Sequence, residues 1–124
     1  MSSEVRRHPT PFDVLNYELV EEQAAALGRI GRALEAALAK LREFDAGDPG
    51  AGAPESLRQA RRNLVTEAGH ALWMFVVQRE ACGLRDSRIV MRNYDVPGEV
   101  QQRMAPKIGR ADPAEPAVFR LFSR

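Results

Sequence analysis

Between Pro11 and Pro49 the chain runs without a proline, and in that stretch Leu27, Ile30, Leu34, Ala37, Leu41 and Phe44 recur in steps of three and four. A strand buried on one face would alternate, whereas this spacing is that of a helix packed along one side. The helix is expected to open near Phe12 or Asp13. Pro9 and Pro11 hold the preceding chain extended, and Asp13 and Glu18 suit the positive end of a helix. Followed backwards, the register meets Val20 and then the polar Gln23, Asn16 and Asp13, while the apolar face shifts to Leu15, Leu19 and Ala26. Ala24, Gly28 and Gly31 form a strip of small residues. A glycine costs about 1 kcal/mol relative to alanine inside a helix, so the strip implies close approach of another helix.

Asp45 to Pro54 carries three glycines, two prolines and two aspartates and reads as a flexible loop. A second helix follows from Pro54 or Glu55 to about Cys82, with Leu57, Ala60, Leu64, Ala68, Ala71, Leu72, Phe75 and Val76 facing inward. Gly83 is placed to cap it, with Leu84 packing back on the last turn. Asp86 can cap a short helix from Ser87 to Asn93, and Pro97 can sit in the first turn of another through Met104, which Pro106 stops. The apolar end Val118 to Phe122 is too short to fold alone and either docks or frays. The expected organisation is a flexible N-terminal tail over 1–11, a single helical domain over 12–105 and a C-terminal tail over 106–124.

The fold class is therefore all-α: a long antiparallel helical hairpin with two short C-terminal helices. Helices of about 30 residues are about 45 Å long, while a compact chain of 124 residues has a radius of gyration near ~14 Å. A lone hairpin of that length leaves apolar flank uncovered, so a dimeric bundle is expected.

Composition narrows the function classes. The single cysteine, Cys82, has no partner for an internal bridge or a paired-Cys metal site, which fits a reducing cytoplasm. No apolar run nears the roughly 20 residues of a membrane span, and no apolar segment follows Arg6 and Arg7 as a signal peptide requires. A soluble, cytoplasmic protein with no membrane association is expected. The net charge is +1, but it is unevenly distributed. Phe12 to Asp45 holds seven acids against four bases, and Glu55 to Arg110 six acids against ten bases. The two halves can complement each other within a chain or across a dimer. Sixteen of the 18 bases are arginine, which with the abundant alanine reads as a coding bias.

Three patterns are candidates for chemistry. Glu67 and His70 lie three apart on one helix face, the spacing that di-iron carboxylate bundles use twice. A two-fold dimer would supply a second copy, and Glu18, Glu21 or Glu35 could add carboxylates; the plainer account is a surface glutamate beside a helix histidine. Cys82 and His70 are twelve residues apart on one helix, about 18 Å, too far for a nucleophile and its base. Arg58, Arg61 and Arg62, then Arg85, Arg88 and Arg92, make basic clusters at helical spacing. Phosphate contact with nucleic acid would use such a face, but a solvated face with ion pairs to the acidic first helix is the preferred account, and nucleic acid is not the favoured partner. Arg79, Glu80, Arg85 and Asp86 are read as a lock between the second helix and the short one, and Trp73, Phe75 and Tyr94 as core aromatics. The Gly47 to Gly52 cluster lacks the strand before it and the Lys-Ser/Thr after it that a phosphate loop needs. No cofactor is implied.

Leu27-Gly28-Arg29-Ile30-Gly31-Arg32 with Glu35-Ala36-Ala37-Leu38, and Val77 to Asp86 leading to Tyr94-Asp95-Val96-Pro97-Gly98-Glu99-Val100, together resemble an uncharacterised family of short alphaproteobacterial helical proteins, a domain of unknown function. The resemblance covers about Phe12 to Met104. It implies a helical fold and a cytoplasmic bacterial protein, and brings no catalytic residue with it. The sequence thus favours a non-enzymatic, self-associating helical interaction or regulatory protein, a homodimer whose protein partners are left open. The alternatives are a metal-dependent enzyme with a site in a dimeric bundle, and an accessory nucleic-acid binder through the arginine clusters.

Overall fold

The structure, a computed structural model, describes residues 8–47 and 50–106. It is all-α, with four helices and no strand among the described residues. The tail expectations for residues 1–7 and 107–124, including the docking or fraying of Val118 to Phe122, lie outside the described residues.

Helix α1 spans Pro11–Ala46. It starts slightly earlier than expected because Thr10 and Asp13 form a capping box. The Asp13 amide donates to Thr10 Oγ1 at 3.0 Å, and the Thr10 amide to Asp13 Oδ2 at 3.1 Å. Pro11 then fits the first helical position, where its fixed φ is already helical and no amide is needed. The helix also runs past the expected loop start, so Asp45 and Ala46 are helical. The Asp45 carboxylate is held by Arg61, which offsets its poor helix propensity.

Helix α2, Glu55–Ala81, ends as its sequence suggests. Gly83 takes the left-handed conformation (φ +89), the Leu84 amide reaches Arg79 O at 2.8 Å and the Gly83 amide reaches Glu80 O at 3.0 Å. These are the paired bonds of a Schellman cap. Leu84 itself stays exposed rather than packing back.

Helices α3 (Arg88–Asn93) and α4 (Gly98–Gln102) complete the domain. Asp86 accepts from the Arg88 amide at 3.1 Å at the start of α3. The end of α3 repeats the Schellman pattern with Asp95 at φ 51, and this turns the chain so that Val96 becomes buried.

The core joins Leu34, Leu38 and Leu41 of α1 to Val65, Ala68, Leu72 and Phe75 of α2, closed by Val90, Val96 and Val100. Leu38 and Val65 belong to this core although the expected faces omitted them; Leu57, expected inside, is exposed. Trp73 is only half-buried and stands outside the core cluster. Its ring stacks on His70 instead (centroids 6.4 Å apart, planes at 19°).

Helix α4 seats on α2 at Gly69. A Cβ there would collide with the Arg103 backbone, its carbonyl carbon lying 2.7 Å away, so only glycine lets the end of α4 settle onto α2. Arg61 fastens the same end of the hairpin. Its guanidinium reaches Asp45 on α1 at 2.8 Å and Glu99 on α4 at 2.6 Å, tying three helices together.

Candidate functional site

The two long helices are unequal. The Lys40–Glu67 ion pair (3.2 Å) and the contact of Gly31 with the Phe75 ring fix how far each reaches along the other. On that register the last residues of α2 lie beside residues 25–26 of α1. Roughly 15 residues of α1, about 22 Å at 1.5 Å each, project beyond.

At 100° per residue, Phe12, Leu19 and Val20, with Leu15 at the edge, flank the line of the stripe that buries Leu34, Leu38 and Leu41 further along the helix, while the polar Asn16 and Gln23 stand on the line itself. Yet Phe12 is 74% exposed, Leu15 63%, and Leu19 and Val20 each 54%, because nothing described lies against this part of α1. The acids Glu18 and Glu21 fall on the opposite side of the helix and Glu22 on its flank. Between Phe12 and Gly28 there is no lysine or arginine.

The small-residue strip adjoins this overhang. Ala24, Leu27, Gly28 and Gly31 form one wall of a groove of about 440 Å³ whose other wall is Phe75 and Tyr94. What approaches Gly31 is not a helix backbone but two rings. A Cβ there would meet Tyr94 Oη at 3.1 Å and Phe75 Cε1 at 3.2 Å. Those rings pack edge to face, with centroids 5.4 Å apart. The glycine makes room for an aromatic pair that closes α3 onto the hairpin.

Glu67 and His70 do share one face of α2, beside a cavity of about 260 Å³ with Asn63 and Thr66. Glu67 is exposed and bound to Lys40. His70 is half-buried, and its Nδ1 is shielded from solvent without a hydrogen-bond partner. A structural zinc takes four protein ligands and a catalytic one three. No group of three or more His, Cys, Asp or Glu residues placed to hold a metal ion occurs among the described residues. Cys82 is half-buried, with Gln78 Nε2 3.9 Å from its sulfur.

The first arginine cluster is engaged in ion pairs. Arg58 and Arg62 both reach Glu55 on their own helix (2.7 and 2.6 Å), and Arg61 bridges Asp45 and Glu99. Hydrogen bonding from Arg61 lowers the Asp45 and Glu99 carboxyls below their ordinary values, and the two carboxylates raise Arg61. In the second cluster Arg88 pairs with Asp86 at 3.1 Å, and the neighbouring Arg79 donates to Asp86 O at 3.3 Å, which supplies part of the lock expected there.

Sequence reasoning singled out Leu15 and Leu19 and expected uncovered apolar flank, but did not place that flank at these residues. That depends on where α2 stops relative to α1, which only the hairpin register sets. No helix among the described residues is long and apolar enough to cross a membrane. Comparison with curated proteins and comparison with solved structures each found no match. The model of a family of unknown function, DUF6665, matches residues 4–111, a span wider than the Phe12 to Met104 resemblance. On that match the chain belongs to DUF6665, a family of unknown function.

Proposed function

We propose that the protein is a non-enzymatic helical module of the cytoplasm that acts by self-association, as an interaction or regulatory protein. One observation carries this reading: Phe12, Leu15, Leu19 and Val20, large apolar side chains flanking the side of α1 that forms the core further along, are bare. Fully burying a Val, Leu or Phe side chain is worth roughly 1.5–3 kcal/mol, and each overhang offers four that are more than half exposed. In a symmetric pair that gain is of the same order as the roughly 4–15 kcal/mol that association costs, which supports a dimer of moderate affinity.

The other two readings have less behind them. The metal reading needs ligands from a second copy, but Glu67 lies level with Lys40, about 33 Å along α1 from the middle of the overhang. The nucleic-acid reading needs uncommitted cations, and four of the six cluster arginines, Arg58, Arg61, Arg62 and Arg88, are in ion pairs, which leaves Arg85 and Arg92. Sedimentation equilibrium over a wide concentration range tests the proposal. The expected result is a mass rising from 13.8 kDa toward twice that value, and an unchanging monomer mass at the highest concentrations would contradict it.

A further inference from the structure

Resting on that self-association reading, we infer that the occupant of the bare face is the same overhang of a second copy, laid antiparallel so that its first turn meets the C-terminal end of α2. Two equal overhangs of about 15 residues, crossed about a two-fold axis near residue 18, cover each other along their full length of about 22 Å. Each α1 is then matched from end to end, first by its own α2 and then by the partner's α1 running in line with that α2. A parallel pair cannot do this. Where the two stripes stop facing each other, both α2 helices would be directed into the same space.

The charges at the junction are complementary. The arriving first turn is the positive end of a helix and carries Asp13, while the end it meets is the negative end of α2. Residues 79–92 around that end hold four arginines against two acids. Leu84, exposed just beyond α2, adds apolar area there. Even so, about 22 Å of a helix some 10–12 Å across stays well below the ~800 Å² per partner of a standard interface, which places the contact among weak, transient ones. The acids Glu18 and Glu21 point away from the contact. Their separation across the pair exceeds the roughly 10 Å over which exposed charges interact at ~0.1 M salt, so they do not oppose it.

A distance measurement separates this geometry from others. In a Cys82→Ser background, a spin label on Arg29→Cys sits on the exposed outer side of α1, about 11 residues from the axis. Pulsed dipolar spectroscopy is expected to give about 35 Å between the two labels, and Leu19→Asp is expected to abolish the dipolar signal while far-ultraviolet circular dichroism stays unchanged. A dimer with a distance under about 30 Å, as parallel α1 helices about 10 Å apart with labels on their outer sides would give, overturns the antiparallel geometry and leaves self-association standing. A monomer overturns both, and gives the face to residues 107–124 of the same chain or to a different protein.

Discussion

Helix α1 is one continuous helix with two different fates. From Leu27 to Leu41 its apolar stripe meets α2, and Leu34, Leu38 and Leu41 are closed off from water. From Phe12 to Val20 large apolar side chains flank the same side around the polar Asn16, and they stand in solvent. The Thr10–Asp13 box and Pro11 start the first half and no breaker interrupts it. Isolated helices of such length are marginal, so the overhang draws its stability from the packed half it extends. Burial, and hence resistance to unfolding, belongs to the packed half; the other half carries the exposed apolar side chains on which the proposed self-association rests.

The sharpest way to break this contrast is the same substitution in both halves. Leu34→Asp places an unpaired charge in a fully buried position and is expected to cost about 3–5 kcal/mol in urea unfolding. Leu19→Asp, in solvent, is expected to stay within about 0.5 kcal/mol of the parent in dilute solution. Equal losses at the two positions would mean that the overhang is packed within a single chain.

A second probe asks what locks the packed half. Gly69→Ala forces the Arg103 backbone away from α2 and is expected to lower stability by about 2–3 kcal/mol, seen as a reduced urea midpoint. A smaller effect is expected at Arg61. Its partners are partly exposed, so Arg61→Met should cost about 1 kcal/mol at neutral pH. The direction with pH follows from the carboxyls. Asp45 and Glu99 have folded values below their unfolded ones. The stability they contribute is therefore present above the ordinary carboxylate range and is lost as pH falls below about 4.5, the ordinary value for Glu99. The gap between parent and Arg61→Met should narrow on acidification, and a gap that stays constant to pH 3 would remove Arg61 from the lock.

Much of the fold was legible in the sequence because its signals are local. The three-and-four spacing of Leu27 to Leu41, the Gly83 cap and the Asp86 start of α3 each depend on residues within a turn or two. Features set by distant parts of the chain were not legible. Gly69 looks like an ordinary helix glycine until the end of α4 arrives on it. Gly31 suggests a second helix and instead receives Phe75 and Tyr94. Asp45 reads as loop because its partner Arg61 lies across the hairpin. The overhang is of the same kind: Leu15 and Leu19 were recognised as apolar, but their exposure follows from the hairpin register.

Hydrogen exchange measured as a function of protein concentration tests the central claim, that one stretch of α1 is folded yet covered only by another molecule. Amides over residues 15–25 are expected to gain protection as concentration rises, while those over 34–41, buried within one chain, stay unchanged. Protection over 15–25 that is already high at great dilution, or absent at every concentration, would contradict it.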